Sequence, residues 1–387
     1  MKKILVWFGL SWLVVGLAAA ELLEQTDLFI NGQDGIVQYR IPVLLTSNQG
    51  TLLAVCDARV SKGGDAPNNI DIVMKRSTDG GRTWSPLRTL MNNGQGAAGD
   101  ALGLVDRQTG TIWIFAVCFP EGVGAVLAQP GMAGSTATYW AVKSDDDGAT
   151  WSAPIDLTPM FKRPEWRGGS VGPGTGIQLR SGRLVVPRYY FAGPAGGPMP
   201  ATAFVNYSDD HGRTWQIGGL TTPGEAANEC QVVELADGSL LLNMRNVVNG
   251  RGNFRKTARS LDGGQTWAPM LDDTGLIEPE NGCQASLLTY TTRAEGDRSR
   301  LLFSNPASLR RNNFTVQLSY DEGKTWKEVR QLHGGPAGYS SLAVLPDMTI
   351  ACLYERGDQR YYEKITFARF NLEWLTQGRD SIKSVTK

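Results

Sequence analysis

The sequence predicts an all-β fold, namely a six-bladed β-propeller with four antiparallel strands in each blade. One eight-residue turn motif, Ser-x-Asp-x-Gly-x-Thr-Trp, occurs five times, and an apolar strand that follows a short turn occurs six times. Glycine and tryptophan are frequent, with 46 and 11 residues in a chain of 387. Such a composition is typical of all-β repeat proteins with many tight turns.

The turn motif repeats at a spacing that indicates a propeller. The five copies begin at Ser77, Ser144, Ser208, Ser260 and Ser319, about 50 to 70 residues apart, which is a repeat length of propellers with loop insertions. In each copy the Asp can accept hydrogen bonds from its own turn, and the Gly allows a positive φ. The Trp can fill the space between neighbouring sheets. The motif lacks the alternating oxygen ligands of a calcium loop, so we interpret it as a structural hairpin turn.

The six apolar strands give the number of blades. They begin at Thr51, Thr111, Arg183, Ser239, Ser299 and Met348. The sixth blade lacks the turn motif, and Asp27 to Ile30 are predicted to add the outer strand that closes the ring. Two stretches rich in Gly, Pro and Ala, Pro120 to Gly134 and Ala192 to Pro200, are predicted to be loops that rim a pocket on one face.

The N-terminus has the pattern of a signal peptide. Lys2 and Lys3 precede an apolar run, and Ala18 to Ala20 supply the small residues for cleavage before Glu21. The run is shorter than the roughly 20 apolar residues of a membrane span, so we expect no stable membrane anchor. We therefore predict a signal peptide at residues 1–20 and a single six-bladed catalytic propeller at residues 21–387, exported to the periplasm or secreted.

The composition excludes several classes of function. Lys plus Arg and Asp plus Glu number 38 each, without the charged runs of a nucleic-acid-binding protein. Two His residues make a Ser-His-Asp triad or a His-rich metal site implausible, and we expect no metal and no cofactor. The five Cys form no C-x-x-C pair, and we interpret them as buried apolar residues. We expect a monomer.

Arginines at the strand ends of three blades indicate an anion site. Arg40 begins the first blade, Arg245 ends an apolar strand, and Arg310 and Arg311 follow another. These residues could be solvated surface charges. Guanidinium groups that converge from different blades instead suit one anionic ligand held by paired hydrogen bonds.

Together with the turn motifs, four short segments resemble the bacterial exo-α-sialidases. The segments are Tyr39-Arg40-Ile41-Pro42, Asn228-Glu229-Cys230-Gln231, Met244-Arg245-Asn246 and Leu353-Tyr354-Glu355. The turn motifs alone are weak evidence, because unrelated propellers contain them. The ordered set of strand-end residues is specific, and the resemblance covers nearly all of residues 21–387.

The resemblance implies a role for eight residues. Arg40, Arg245 and Arg311 would bind the carboxylate of sialic acid, and Arg311 is preferred to Arg310 because it lies eight residues before Ser319. The other implied roles are Tyr339 as nucleophile, Glu229 as its paired base, Asp65 as general acid/base on a loop, Glu355 as the residue that orients Arg40, and Arg59 as a rim arginine near C4 of the sugar.

The chemistry of sialic acid explains why a tyrosine suits this role. The anomeric carbon bears a carboxylate, so an Asp or Glu nucleophile would approach a like charge, whereas a tyrosine hydroxyl is neutral; sialidases are a known exception to the two-carboxylate scheme of glycosidases. We therefore expect a retaining exo-α-sialidase that acts on glycoproteins, glycolipids or oligosaccharides. The alternatives are a non-catalytic sialic-acid-binding propeller, a trans-sialidase or intramolecular trans-sialidase, and a different glycosidase propeller with paired carboxylates.

Overall fold

The computed structural model describes residues 21–223, 227–247 and 253–382. The predicted signal peptide at residues 1–20 lies outside the described residues. In this part of the chain no helix is both long and apolar enough to cross a membrane.

The described residues form six consecutive antiparallel blades, preceded by one separate strand. That first strand is β1 (Leu23–Ile30). Blade 1 contains β2 (Gln38–Thr46), β3 (Leu52–Arg59), β4 (Ile70–Ser77) and β5 (Arg88–Met91). Blade 2 contains β6 (Ala97–Val105), β7 (Ile112–Phe119), β8 (Thr138–Ser144) and β9 (Ile155–Asp156), followed by the short helix α1 (Thr158–Phe161).

The inner strand of blade 3 is broken into short segments. Blade 3 contains β10 (Gly168–Val171), β11 (Gly174–Thr175), β12 (Ile177–Gln178), β13 (Leu184–Phe191), β14 (Ala201–Ser208) and β15 (Gln216–Leu220). Blade 4 is regular and contains β16 (Ala227–Glu234), β17 (Leu240–Asn246), β18 (Phe254–Ser260) and β19 (Leu271–Ile277).

Blades 5 and 6 share one long strand. Blade 5 contains β20 (Ser286–Thr291), the 3₁₀ turn Arg293–Glu295, β21 (Arg300–Pro306), β22 (Asn312–Ser319) and the first half of β23 (Glu328–Val344). Blade 6 contains the second half of β23, β24 (Ile350–Arg356) and β25 (Lys364–Phe370), and the helix α2 (Leu372–Thr376) follows. The first half of β23 pairs with β22 and the second half with β24.

The N-terminal strand closes the ring, as predicted. β1 pairs antiparallel with β25, from Leu23 opposite Phe370 to Ile30 opposite Lys364, and is the fourth strand of blade 6. The innermost strands of neighbouring blades contact one another around the circle, including β2 with β23. The six-bladed propeller that the sequence predicts is therefore the observed fold.

The Trp of each turn motif packs against the preceding blade. Trp84 of blade 1 contacts Phe367 of blade 6, with ring centroids 5.2 Å apart. Trp215 of blade 3 meets Phe115 of blade 2 at 5.4 Å. The other three Trp residues of the motif lie in equivalent clusters between blades. The motif thus supplies the large apolar side chain that joins one sheet to the next.

The antiparallel order places all the predicted site residues on one face. Each inner strand runs from this face towards the turn-motif face, and each second strand returns. Arg40, Glu229 and Tyr339 lie early in an inner strand or inner half-strand, whereas Arg59 and Arg245 lie at the ends of second strands. The turn motifs all follow third strands and therefore lie on the opposite face.

Candidate active site

A cavity of about 290 Å³ opens on the face where the inner strands begin. Its charged side is lined by Arg40, Arg59, Asp65, Glu229, Arg245, Arg311 and Tyr339. Its other side includes the apolar or aromatic residues Ile70, Val117, Phe119, Tyr189 and Phe191. The structure thus brings seven of the eight predicted residues together, and the eighth, Glu355, lies directly behind Arg40.

Glu355 fixes Arg40 from behind. The Glu355 carboxylate is fully buried and accepts a hydrogen bond of 2.6 Å from Arg40 Nε. It also accepts the backbone N–H groups of Ile41 at 2.9 Å and Tyr339 at 3.0 Å. Burial opposes the charge of Arg40, but the Glu355 carboxylate outweighs it and raises the pKa of Arg40 above its ordinary value. Arg40 is therefore a fixed cation.

Arg245 and Arg311 complete the cationic cluster. Arg245 Nη1 donates to Glu229 Oε2 at 2.8 Å and to the Tyr339 hydroxyl at 3.0 Å, while its Nε and Nη2 donate to the Asn281 carbonyl. Arg311 donates to the Gly282 carbonyl at 3.3 Å. In the described part of the chain Arg311 has no carboxylate partner, so its charge is available to an anion in the cavity.

The neighbour of Arg311 does not reach the cavity. Arg310 is exposed, whereas Arg311 is half-buried and lines the pocket. The Arg311 guanidinium lies 5.4 Å from the centre of the Tyr339 ring.

Tyr339 is a buried phenol in contact with a carboxylate. Its hydroxyl donates a short hydrogen bond to Glu229 Oε1, and the Glu229 side chain is also buried. Burial and the Glu229 charge raise the pKa of Tyr339 well above its ordinary value, while Arg245 and Arg311 oppose that shift. The hydroxyl is therefore protonated at neutral pH, with a base already in place to accept the proton.

Asp65 lies on an exposed loop at the rim. Its side chain is 88% exposed and accepts a hydrogen bond from Nη2 of the buried Arg59. Gln38 Oε1 holds Arg59 Nη1 at 2.9 Å and the Gly64 N–H at 3.2 Å. Asp65 is therefore accessible to solvent while Arg59 keeps it beside the cavity.

Comparison with known proteins identifies the family of this chain. A family model described as a BNR repeat-like domain matches residues 95–352, and one described as a BNR/Asp-box repeat matches residues 75–86. A sialidase of Micromonospora viridifaciens is 39% identical over 92% of this chain and 54% of its own length. Sialidase-2 of Mus musculus is 31% identical over 92% of this chain and 97% of its own length.

The chain belongs to the sialidase family. Among solved structures, the Hadza microbial sialidase Hz136 superposes with a TM-score of 0.81 at 35% identity, over 91% of this chain and 69% of that one. The chain spans about half the length of the Micromonospora relative and 61% of a sialidase of Bacteroides fragilis.

Two further carboxyl groups lie in this sialidase cavity and were not predicted. Asp57 precedes Arg59 by two residues on β3, and its Oδ2 accepts the backbone N–H of Asp100 at 3.2 Å. Burial and then the Glu229 charge raise the pKa of Asp100 to about 7, and burial also raises the pKa of Asp57. The period-two alternation of a strand could have indicated Asp57. No local pattern indicates Asp100.

Other parts of the sialidase fold do not add to this chemistry. A second cavity of about 360 Å³ lies at the other end of the central channel and is lined largely by the ends of inner strands, with none of the predicted residues. In the described residues, no three His, Cys, Asp or Glu side chains are grouped so that they could hold a metal ion. All five cysteines are buried and unpaired.

Proposed function

We propose that this chain is a retaining exo-α-sialidase that releases terminal sialic acid from glycoproteins, glycolipids or oligosaccharides. The observation that supports this most is the contact of the Tyr339 hydroxyl with Glu229 and Arg245, beside two further arginines. A nucleophile, its base and an anion-binding cluster share one cavity, as attack on a carbon that bears a carboxylate requires.

The arginines bind and orient the substrate carboxylate. Arg40 and Arg245 are held by carboxylates, and Arg311 has no carboxylate partner among the described residues. Charge-assisted hydrogen bonds between guanidinium and carboxylate groups have fixed directions. Binding in this way brings the anomeric carbon C2 towards Tyr339 and directs the glycosidic oxygen towards the rim, where Asp65 lies.

The first step forms a covalent intermediate. The Tyr339 oxygen attacks C2 and gives its proton to Glu229, while the bond from C2 to the glycosidic oxygen breaks. Asp65 donates a proton to that oxygen, so the aglycone leaves as an alcohol. The departure proceeds through an oxocarbenium-like state, and the tyrosyl oxygen bonds to the face opposite the leaving group.

The second step reverses these roles. Asp65 takes a proton from water, and the water oxygen bonds to C2 as the bond to Tyr339 breaks. Glu229 returns its proton to the Tyr339 oxygen. Two displacements at one carbon retain its configuration.

We also propose that residues 1–20 direct export and that residues 21–387 act as a monomer in the periplasm or outside the cell. The support is the pattern of two Lys, an apolar run and three Ala before Glu21. N-terminal sequencing of the exported protein should begin at Glu21. An intact N-terminus on exported protein would contradict cleavage.

One digestion tests the proposed activity. Proton NMR of sialyllactose treated with the enzyme should show lactose together with the α-anomer of free sialic acid before mutarotation. A Tyr339→Phe variant should lose at least about 10³-fold in kcat on an aryl sialoside, because removal of a covalent nucleophile is among the most costly catalytic changes. The matched control is Tyr207→Phe, which removes a buried hydroxyl that bonds Gln216 far from the cavity.

Three outcomes would contradict the proposal. Full activity in Tyr339→Phe excludes the tyrosine nucleophile. Binding of sialyllactose without turnover favours a non-catalytic propeller. An anhydro product, or sialic acid transferred to a second sugar, favours the trans-sialidase alternatives.

A further inference from the structure

We propose that Gly124 is a positioning residue that sets the place of Asp65 for proton transfer; this rests on the proposed function. Asp65 lies in the loop between β3 and β4, residues 60–69, here called the acid loop. Gly124 lies in the loop between β7 and β8, residues 120–137, here called the wall loop. The two loops come from different blades and meet at the residue that follows Asp65.

The contact exists because Gly124 has no side chain. A Cβ atom on Gly124 would overlap the carbonyl group of Ala66 and would lie 2.8 Å from the nitrogen of Pro67. Cβ atoms essentially never approach other heavy atoms closer than 3.0 Å. The φ angle of Gly124 lies outside the left-handed region, so the backbone conformation does not require glycine. Glycine is required because the acid loop approaches this position closely.

Backbone hydrogen bonds hold the wall loop at this contact. The Gly124 carbonyl accepts the N–H groups of Leu127 at 3.0 Å and of the fully buried Ala128 at 2.9 Å. Ala66 and Val123 each pack against the apolar core between blades 2 and 3. Residues 61–65 of the acid loop are exposed. We therefore expect an atom forced into the contact to displace these exposed residues of the acid loop.

Movement at Ala66 is transmitted directly to Asp65. The overlap requires a shift of about 1 Å, and a misplacement of that size in a catalytic group can reduce the rate by about 100-fold. Proton donation matters most when the leaving group is a basic alkoxide, and it matters little for a nitrophenolate. A displaced Asp65 should therefore slow the release of sugars selectively.

The test compares two leaving groups in the full-length enzyme. Gly124→Ala should lower kcat/KM for sialyllactose at least about 10-fold more than for p-nitrophenyl sialoside, because the displaced group is the general acid. In an Asp65→Ala background, the same substitution should cause no further loss on sialyllactose. The matched control is Gly334→Ala in β23, which likewise has no positive φ and where a Cβ would lie 3.5 Å from the Gln331 side chain. This control should leave the ratio of kcat/KM for the two substrates unchanged.

The outcomes separate this inference from the proposed function. A wild-type enzyme that releases no sialic acid overturns the proposed function. An active wild type overturns the inference if Gly124→Ala slows both substrates equally, or if its loss adds fully to that of Asp65→Ala. If Gly124→Ala does not fold, Val123→Ala decides, because it thins the wall without placing an atom in the contact. Val123→Ala should lower kcat/KM for sialyllactose about 3-fold more than for p-nitrophenyl sialoside. An equal loss of kcat/KM on both substrates overturns the inference.

Discussion

At the scale of single residues, Glu355 connects the arginine cluster to Tyr339. One buried carboxylate accepts hydrogen bonds from Arg40 Nε and from the backbone N–H groups of Ile41 and Tyr339. Ile41 has a φ of 59°, which is unusual for a β-branched residue. The N–H that Glu355 accepts belongs to this strained residue, so the carboxylate stabilises the backbone that presents Arg40.

The sequence indicated most of these residues but not all of them. The eight-residue spacing to Ser319 favoured Arg311 over Arg310, and Arg311 is the one that lines the cavity. Asp100 and Tyr361 also line it. They were missed because neither lies in a segment whose pattern indicates a site, and the fold alone brings them to the cavity.

Substitution of Arg311 and of Arg310 tests which of the two arginines binds the substrate carboxylate. Arg311→Ala should raise KM for an aryl sialoside by about 10- to 100-fold, because a hydrogen bond to a charged group contributes about 1.5–3 kcal/mol. Arg310→Ala, which removes an exposed neighbour, should change KM by less than about 2-fold. Steady-state kinetics of both variants measure this. Equal effects would show that the arginine was assigned wrongly.

The raised pKa of Asp100 leads to a prediction about pH. The folded chain holds the Asp100 proton up to a pKa of about 7, whereas the unfolded chain releases it near pH 4. The free energy of unfolding therefore decreases as pH rises between these values, and Asp100→Asn lacks this decrease. Asn also tolerates the positive φ at position 100.

Urea denaturation measures this effect. The stability of Asp100→Asn relative to wild type should be greater at pH 8 than at pH 5. The same stability difference at both pH values would mean that Asp100 titrates at its ordinary pKa in the folded protein.

At the scale of elements, the turn motif stabilises hairpins on the face opposite the cavity. In blade 4 the Asp262 carboxylate accepts the N–H groups of Gln265 and Thr266, and its other oxygen accepts the Thr266 hydroxyl at 2.6 Å. In the other four copies the Thr hydroxyl donates the same hydrogen bond to the Asp carboxylate. These bonds are local, which explains why the motif could be interpreted from the sequence alone.

The course of two strands could not be predicted from the sequence. β23 continues from the outer edge of blade 5 into the centre of blade 6, and the inner strand of blade 3 is broken. Both depend on how neighbouring blades pack. β11 pairs with β6 of blade 2 rather than within its own blade, and the two halves of β23 pair with β22 of blade 5 and β24 of blade 6.

A substitution in one turn tests the structural role of the motif. Asp262→Ala should lower the free energy of unfolding by about 1 kcal/mol, the usual net value of intramolecular hydrogen bonds, and should leave kcat unchanged. The matched control is Asp272→Ala in the same blade, which removes an exposed ion pair with Lys256 and should cost less than about 0.5 kcal/mol. Loss of activity in folded Asp262→Ala would contradict a purely structural motif.

At the scale of the whole molecule, the ring is held closed by β1. Because β1 is the outer strand of blade 6, residues from the two ends of the described chain form one sheet. Arg356 and Lys364 of that sheet both pair with Asp27 of β1. The site depends on this closure, since blade 6 contains Tyr339 and Glu355 while blade 1 contains Arg40. The number of apolar strands predicted the ring, because each blade is a local repeat.

The closing strand gives a prediction of stability. Phe29 of β1 is 1% exposed and lies 5.4 Å from the Tyr39 ring. Phe29→Ala should therefore lower the free energy of unfolding by about 3–5 kcal/mol, as expected for a buried aromatic side chain. Leu23→Ala, at the exposed start of the same strand, should cost less than about 1 kcal/mol. Denaturant unfolding measures the loss of stability in both variants. Equal losses in the free energy of unfolding would mean that β1 does not contribute to the core.

In the proposed mechanism, Tyr339 forms a covalent bond to the anomeric carbon during turnover. The most direct measurement is mass spectrometry of the enzyme after reaction with a fluorinated sialosyl fluoride, in which electron withdrawal slows breakdown of the intermediate. We expect a sialosyl adduct on the peptide that contains Tyr339, and no adduct in Tyr339→Phe. An adduct on Glu229 or Asp65, or turnover of this substrate with no adduct at all, would contradict it.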